Sequence, residues 1–229
     1  MTQIVISSTQ FAPVRRVWSE TRRSKVLGRV LLAETLAHAL RRHPRLQDAK
    51  VVVELGYAPA SHQKVYPSAW QVAGANIKPG PGVRYVFDIN APSWPLEERC
   101  ADIIIAMHTL YLARDPCAVL RRAMSAARVA VIWNGPFISS YAPHPVDYHR
   151  FSYDWLRDTL PPEWTWYLYP YGGRASAAYT LLEGGLPKIL RLCAAPVVLG
   201  LDRWEARRNP KSVPRAPLGF LVVGLPPSV

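Results

Sequence analysis

Cysteine is scarce: Cys100, Cys117 and Cys193 are the three in a chain of 229 residues. Their odd number and the lack of metal-type spacing argue against a disulfide framework and predict a reduced, cytoplasmic setting. The opening residues lack a basic stretch followed by an apolar one, so no secretory leader is read there. No uncharged apolar run approaches the roughly 20 residues of a membrane span. His144 and His149 have no further ligand at suitable spacing, so no metal site is predicted. What is present is a core: 49% of the residues are hydrophobic, which excludes wholesale disorder and fits one domain with additions. Twenty-two prolines point to many short connections.

Acidic residues are also few, 16 against 28 basic, and the imbalance is unevenly placed. Residues 1–50 hold ten basic and three acidic residues, +7, and residues 184–229 hold seven and two, +5. The stretch between holds eleven of each and is neutral. The body is therefore balanced and both ends are basic. Such ends suit an anionic membrane surface, an acidic protein partner or phosphates, or they serve as a solubilising surface.

Residues 51–59, Val-Val-Val-Glu-Leu-Gly-Tyr-Ala-Pro, organise the rest. Three β-branched residues read as a buried strand that closes on Glu54, and Gly56 opens a tight turn. Before it, residues 1–23 read as an irregular arm carrying Arg15, Arg16, Arg22 and Arg23. Ser24 would cap a helix to Arg42, with Leu27, Val30, Leu31, Leu36 and Leu40 on its inner face. After it, residues 60–68 read as a loop with one helical turn. Strands are expected at 70–77, 83–87, 101–106 and 128–133, with a helix from Asp115-Pro116 to Ala127. This alternation predicts an α/β sheet. Four successive strands close on polar residues: Glu54, Asn76, Asp88 and His108. In a parallel sheet such ends share one border, where ligands bind.

The order Glu-x-Gly, Asn76, Asp88, Ala-Asp-Ile-Ile-Ile-Ala-Met-His-Thr-Leu and Asp-Pro resembles class I S-adenosylmethionine-dependent methyltransferases. It is most similar to the small-molecule branch with the pattern DxGxGxxP, LPF, FDxVxxxxxLEH and DP. Pro136-Phe137 and the segment from His144 to Ser152 resemble its PF…H…DYxRFT element. The resemblance covers roughly residues 48–182. It implies a Rossmann-like fold, a mostly parallel central sheet flanked by helices, with an N-terminal helical arm and a C-terminal helical insertion. The strand at 218–225 would insert as its antiparallel member.

The resemblance also implies S-adenosylmethionine as cofactor. Glu54 and Gly56, with Tyr57 beside them, would meet the methionine moiety, Asn76 the ribose and Asp88 the adenine amine. Met107 and His108 would lie near the transferring methyl group. For an acceptor needing a general base, His144, Asp147 and His108 are the nearest candidates. The competing reading of the second segment is an Asp147–Arg150 ion pair pinning a loop, with Tyr148 and Phe151 packed beneath. The turn carries Ala58 where the pattern has a second glycine, and Asn76 where it has a carboxylate.

The chain thus divides into a basic arm and helix (1–47), a methyltransferase-like core (48–183), a basic and apolar helical insertion (184–216), and a last strand and tail (217–229). The insertion reads as a lid or homo-oligomer patch over the sheet, or as a surface lying peripherally on an anionic membrane. Two functions stay open. One is a methyltransferase acting on a small molecule or a glycan- or lipid-linked acceptor. The other is an inactive copy of the fold serving as a binding or assembly subunit. A nucleic-acid methyltransferase is a weaker third reading, since no nucleic-acid-binding module is recognisable.

Overall fold

The computed structural model describes residues 2–7, 26–141, 146–208 and 216–227. The arginines expected in an N-terminal arm, the Ser24 cap and His144 lie outside the described residues.

Eight strands form one sheet. They are β1 (Gln3–Ile6), β2 (Val51–Leu55), β3 (Gln71–Asn76), β4 (Val83–Val86), β5 (Ala101–Ala106), β6 (Ala127–Pro136), β7 (Thr165–Tyr171) and β8 (Gly219–Leu225). Their order across the sheet is β1-β7-β8-β6-β5-β2-β3-β4. All neighbours are parallel except β8, which runs antiparallel between β6 and β7. This is the α/β sheet that the strand pattern predicts, in the Rossmann-like, mostly parallel form that the resemblance implies. Residues 3–6 depart from the expected irregular arm. They add β1 beside β7, in register from Gln3 opposite Thr165 to Ile6 opposite Leu168.

Among the described residues six α-helices accompany the sheet: α1 (Leu27–Arg42), α2 (Pro44–Gln47), α3 (Pro116–Ala126), α4 (Tyr153–Thr159), α5 (Arg174–Leu182) and α6 (Lys188–Arg208). One apolar layer joins α1 and α6 to one face of the sheet through Leu31, Leu36, Val52, Ile103, Leu199 and Leu221. The other joins α3 and α4 to the opposite face through Val53, Ile104, Leu120, Trp133, Leu156 and Phe220. β2 is buried on both faces, as an unbroken apolar run requires in a sheet covered on both sides.

Caps fix where helices begin. Asp115 accepts from Ala118 N at 2.9 Å and opens α3 with Pro116 at its first position. α1 has no side-chain cap of its own. Instead Leu27 N points at both carboxylate oxygens of Glu183, 3.2 and 3.3 Å away. α5 borrows its cap from α6: Asp202 accepts from Ala175 N (2.9 Å), Ser176 N (3.2 Å) and the Ser176 hydroxyl. A Cβ on Gly173 would come within 2.6 Å of Asp202 Oδ1, so glycine is needed where the two helices meet. This clasp, together with the packing of α6 on α5, fixes one side of α6. No described α6 residue lines the cleft described below.

Candidate functional site

A cleft of about 470 Å³ opens at the carboxyl ends of β3, β4 and β5 and at the turn after β2. That size lies within the range of roughly 300–1,000 Å³ common for small-molecule sites. Gly56, Asn76, Asp88 and His108 all line it, so the structure brings four of the sequence candidates together.

Gly56 has φ +69°, and an added Cβ would fall 2.2 Å from the Thr109 hydroxyl. Both conformation and space therefore require glycine. Thr109 is itself fixed, its hydroxyl reaching the carbonyls of Leu55 and Met107 at 2.9 Å each. Asp88 accepts through Oδ1 from Asn90 N (2.8 Å) and Asn90 Nδ2 (3.1 Å). Asn90 in turn accepts from Arg114 N at 2.7 Å. Among the described residues no hydrogen bond engages the second Asp88 oxygen. The apolar Ile77, Ile89 and Leu112 stand around it in the same cleft.

His108 has φ +53°, uncommon for a residue with a side chain. Its N–H donates to Oδ1 of the buried Asn134 at 2.6 Å, which holds that conformation. Strain retained at a cleft wall is a feature of functional positions. Desolvation, then the neighbouring His62 and Arg29, lower the His108 pKa from 6.5 to about 4. The residue keeps solvent contact through the cleft mouth, which screens part of that effect. The direction is a neutral imidazole at pH 7.

The other candidates sit elsewhere. Glu54 is buried away from the cleft lining. His62 Nε2 meets its Oε1 at 2.8 Å, and Gln63 Nε2 donates to its Oε2 at 3.0 Å. A carboxylate only accepts, so His62 carries its proton on Nε2 in this pair. A charge sealed under a strand end needs such partners, which the expectation of a ligand-facing carboxylate left out of account. Tyr57 does not close the cleft. Its ring lies over Gly74 and Gly82, where Cβ atoms would approach it within 2.5 and 2.8 Å. Met107 is buried in the apolar layer with α1 and α6. Asn76 lines the cleft, but its amide serves the turn: Nδ2 donates to Tyr57 O and Oδ1 accepts from Ile77 N, both at 2.7 Å.

Asp147 pairs with both terminal nitrogens of Arg150, which also donates to Ser140 O at 3.2 Å. This is the loop-pinning arrangement, and it occupies the carboxylate offered as a base. Phe151 is buried against Trp133 and Trp155 as that reading requires, but Tyr148 is exposed and lines the cleft. The N–H groups of Tyr148 and His149 donate to Tyr111 O, which ties this loop to the turn after β5. Tyr148, Asn90 and Arg114 were therefore missed by sequence reasoning. The Asp-x-Asn spacing of Asp88 and Asn90 signals such a turn, whereas Arg114 before the α3 cap carries no signal of its own.

No family model matches the sequence, and no curated protein matches it. Solved structures do. The protein solved in complex with the Trm112 methyltransferase activator of Haloferax volcanii superposes with a TM-score of 0.53 at 13% identity, over 96% of this chain and 100% of that one. The plantazolicin methyltransferase BpumL gives 0.50 at 12%, over 93% and 90%. Phosphoethanolamine N-methyltransferase 2 of Haemonchus contortus gives 0.52 at 12%, over 85% of this chain and 52% of that one. At such identities the likeness concerns fold. The chain has the class I S-adenosylmethionine-dependent methyltransferase fold.

Proposed function

We propose that this chain is an S-adenosylmethionine-dependent methyltransferase whose acceptor is a small molecule or a glycan- or lipid-linked intermediate. The cleft carries the reading. Its free Asp88 oxygen, set among Ile77, Ile89 and Leu112, suits a purine with an exocyclic amine. Gly56, held to glycine by its positive φ and by Thr109, puts backbone on the cleft lining. Asn76, though tied to its turn, keeps one N–H and one lone pair for a hydroxyl. Two proteins of similar fold, BpumL and the Haemonchus contortus enzyme, were solved with S-adenosylhomocysteine, which supports the same cofactor here.

When bound, the cofactor supplies an electrophilic methyl group on a sulfonium. The chain supplies alignment: a rigid sheet border and strained His108 fix one reactant against the other, and orientation of this kind accounts for much of such a rate. A neutral His108 orients an acceptor hydroxyl by accepting its hydrogen bond. Its lowered pKa makes it a weak proton acceptor, so positioning is its larger contribution. Arg29 near the ring, with Arg114 on the cleft wall, disfavours an ammonium acceptor. They favour a hydroxyl on a neutral or anionic molecule.

Calorimetry with S-adenosylhomocysteine tests this. Binding is expected, and Asp88→Ala should weaken it roughly tenfold or more, the loss of one hydrogen bond to a charged group. No heat at millimolar ligand would remove the enzyme. The second reading, a binding or assembly subunit, would then stand. It is favoured by the internal engagement of both Glu54 and Asn76.

A further inference from the structure

We propose that the outward face of α6 is a docking surface for an anionic lipid bilayer. Along it Ile189 (74% exposed), Val197 (62%), Leu201 (53%) and Trp204 (55%) recur at helical spacing. Leu181 and Leu182, at the end of α5, are exposed too. The opposite side of α6 already buries Ala195, Leu199 and Asp202 against the molecule. A helix that is apolar on its solvent side as well as its packed side is half of a contact.

Charge selects the partner. Lys188 flanks the stripe at one end, and Arg207 and Arg208 flank it at the other, with the Arg208 guanidinium stacked 3.8 Å over the Trp204 ring. Asp202 is buried in its clasp, and Glu205 pairs with Arg174 at 3.2 Å. In sequence the basic run continues to Lys211 and Arg215, outside the described residues. A second copy would bring these cations against their own kind. A helix about 31 Å long, aliphatic in the middle with tryptophan and arginine at one end, matches the boundary between headgroups and acyl chains. No described helix is long and apolar enough to cross a membrane, so the arrangement is one of lying on the surface. The inference is independent of methyl transfer.

The test is flotation of the full chain with vesicles of phosphatidylcholine and of phosphatidylcholine mixed with phosphatidylglycerol. Binding is expected to the mixed vesicles and to be much weaker on neutral ones. Val197→Asn with Leu201→Asn should lower the partition roughly tenfold, and Arg207→Glu with Arg208→Glu by at least as much. All four positions are solvent-facing or at the helix end, and thermal melts establish that the variants remain folded. Brominated lipid should quench tryptophan emission in the wild type and less in Trp204→Phe. Absence of vesicle binding would overturn the proposal, as would binding that neither pair of substitutions changes. So would a concentration-dependent dimer abolished by the asparagine pair, which assigns the face to a second copy. Tight binding of poly-aspartate that depends on the arginines alone would assign it to an acidic protein. S-adenosylhomocysteine calorimetry on the same variants should be unaltered, which separates this surface from the cleft.

Discussion

Glu54 and Asp88 are both carboxylates near strand ends on one sheet border, and their surroundings give them opposite duties. Asp88 faces the cleft with one oxygen free, whereas Glu54 is enclosed by His62 and Gln63. Removing one partner of an enclosed pair leaves a charge that burial penalises. His62→Ala should therefore cost about 3 kcal/mol in urea denaturation, whereas Asp88→Ala should cost little stability. A Glu54→Gln variant that stayed fully stable but lost cofactor binding would reverse this assignment. The position of each carboxylate near a strand end was legible in the sequence, and Asp88 lines the cleft. The compensation of Glu54 was not, because it comes from a histidine eight residues on, in a turn whose course no local pattern dictates. Tyr148 was misjudged for a related reason: a loop side chain next to an ion pair can point either way.

Elements explain how a turn with a bulky residue survives. Tyr57 follows Gly56, and its ring needs the space that Gly74 on β3 and Gly82 before β4 leave open. Gly82 has φ +78°, so alanine there adds backbone strain of about 1 kcal/mol to any clash with the ring. Gly82→Ala should thus destabilise by about 2–3 kcal/mol in the wild type but by only about 1 in a Tyr57→Ala background. A double-mutant cycle by chemical denaturation reads the difference, and additivity would show that the ring does not depend on the glycine. β2 to β6 were readable because each is a short stretch rich in apolar residues and bounded by turn residues. β1 was not, since it becomes a strand only by pairing with β7 roughly 160 residues away. The apolar circumference of α6 was visible too, but the Asp202 clasp that fixes its packed side depends on tertiary contact.

For the molecule as a whole, acid should be the more damaging direction of pH. His38, His43 and His108 all have lowered pKa values, caused first by burial and then by cationic neighbours. Each is held neutral when folded and takes up a proton near pH 6.5 when unfolded, so stability is complete above that value. It is lost as pH falls from there through the folded values, about 4 for His108. Asp102 adds the same sign at lower pH. Burial alone would raise its pKa, but hydrogen bonds from Val51 and Lys50 N–H and from Arg128 outweigh this and lower it. The melting temperature should fall between about pH 7 and about pH 5, and His108→Gln should flatten part of that fall. A profile level across this range would show the imidazoles to be freely solvated. The net charge of +12 grows as carboxylates protonate and acts in the same direction.

The antiparallel β8 has a consequence for synthesis. It leaves the ribosome after both of its neighbours, yet among the described strands it joins the β1–β7 pair to the others. Until residues 219–225 emerge, the nascent chain can complete only part of its sheet, with β6 and β7 each presenting a bare edge. A last cooperative step that awaits this one segment follows from that order.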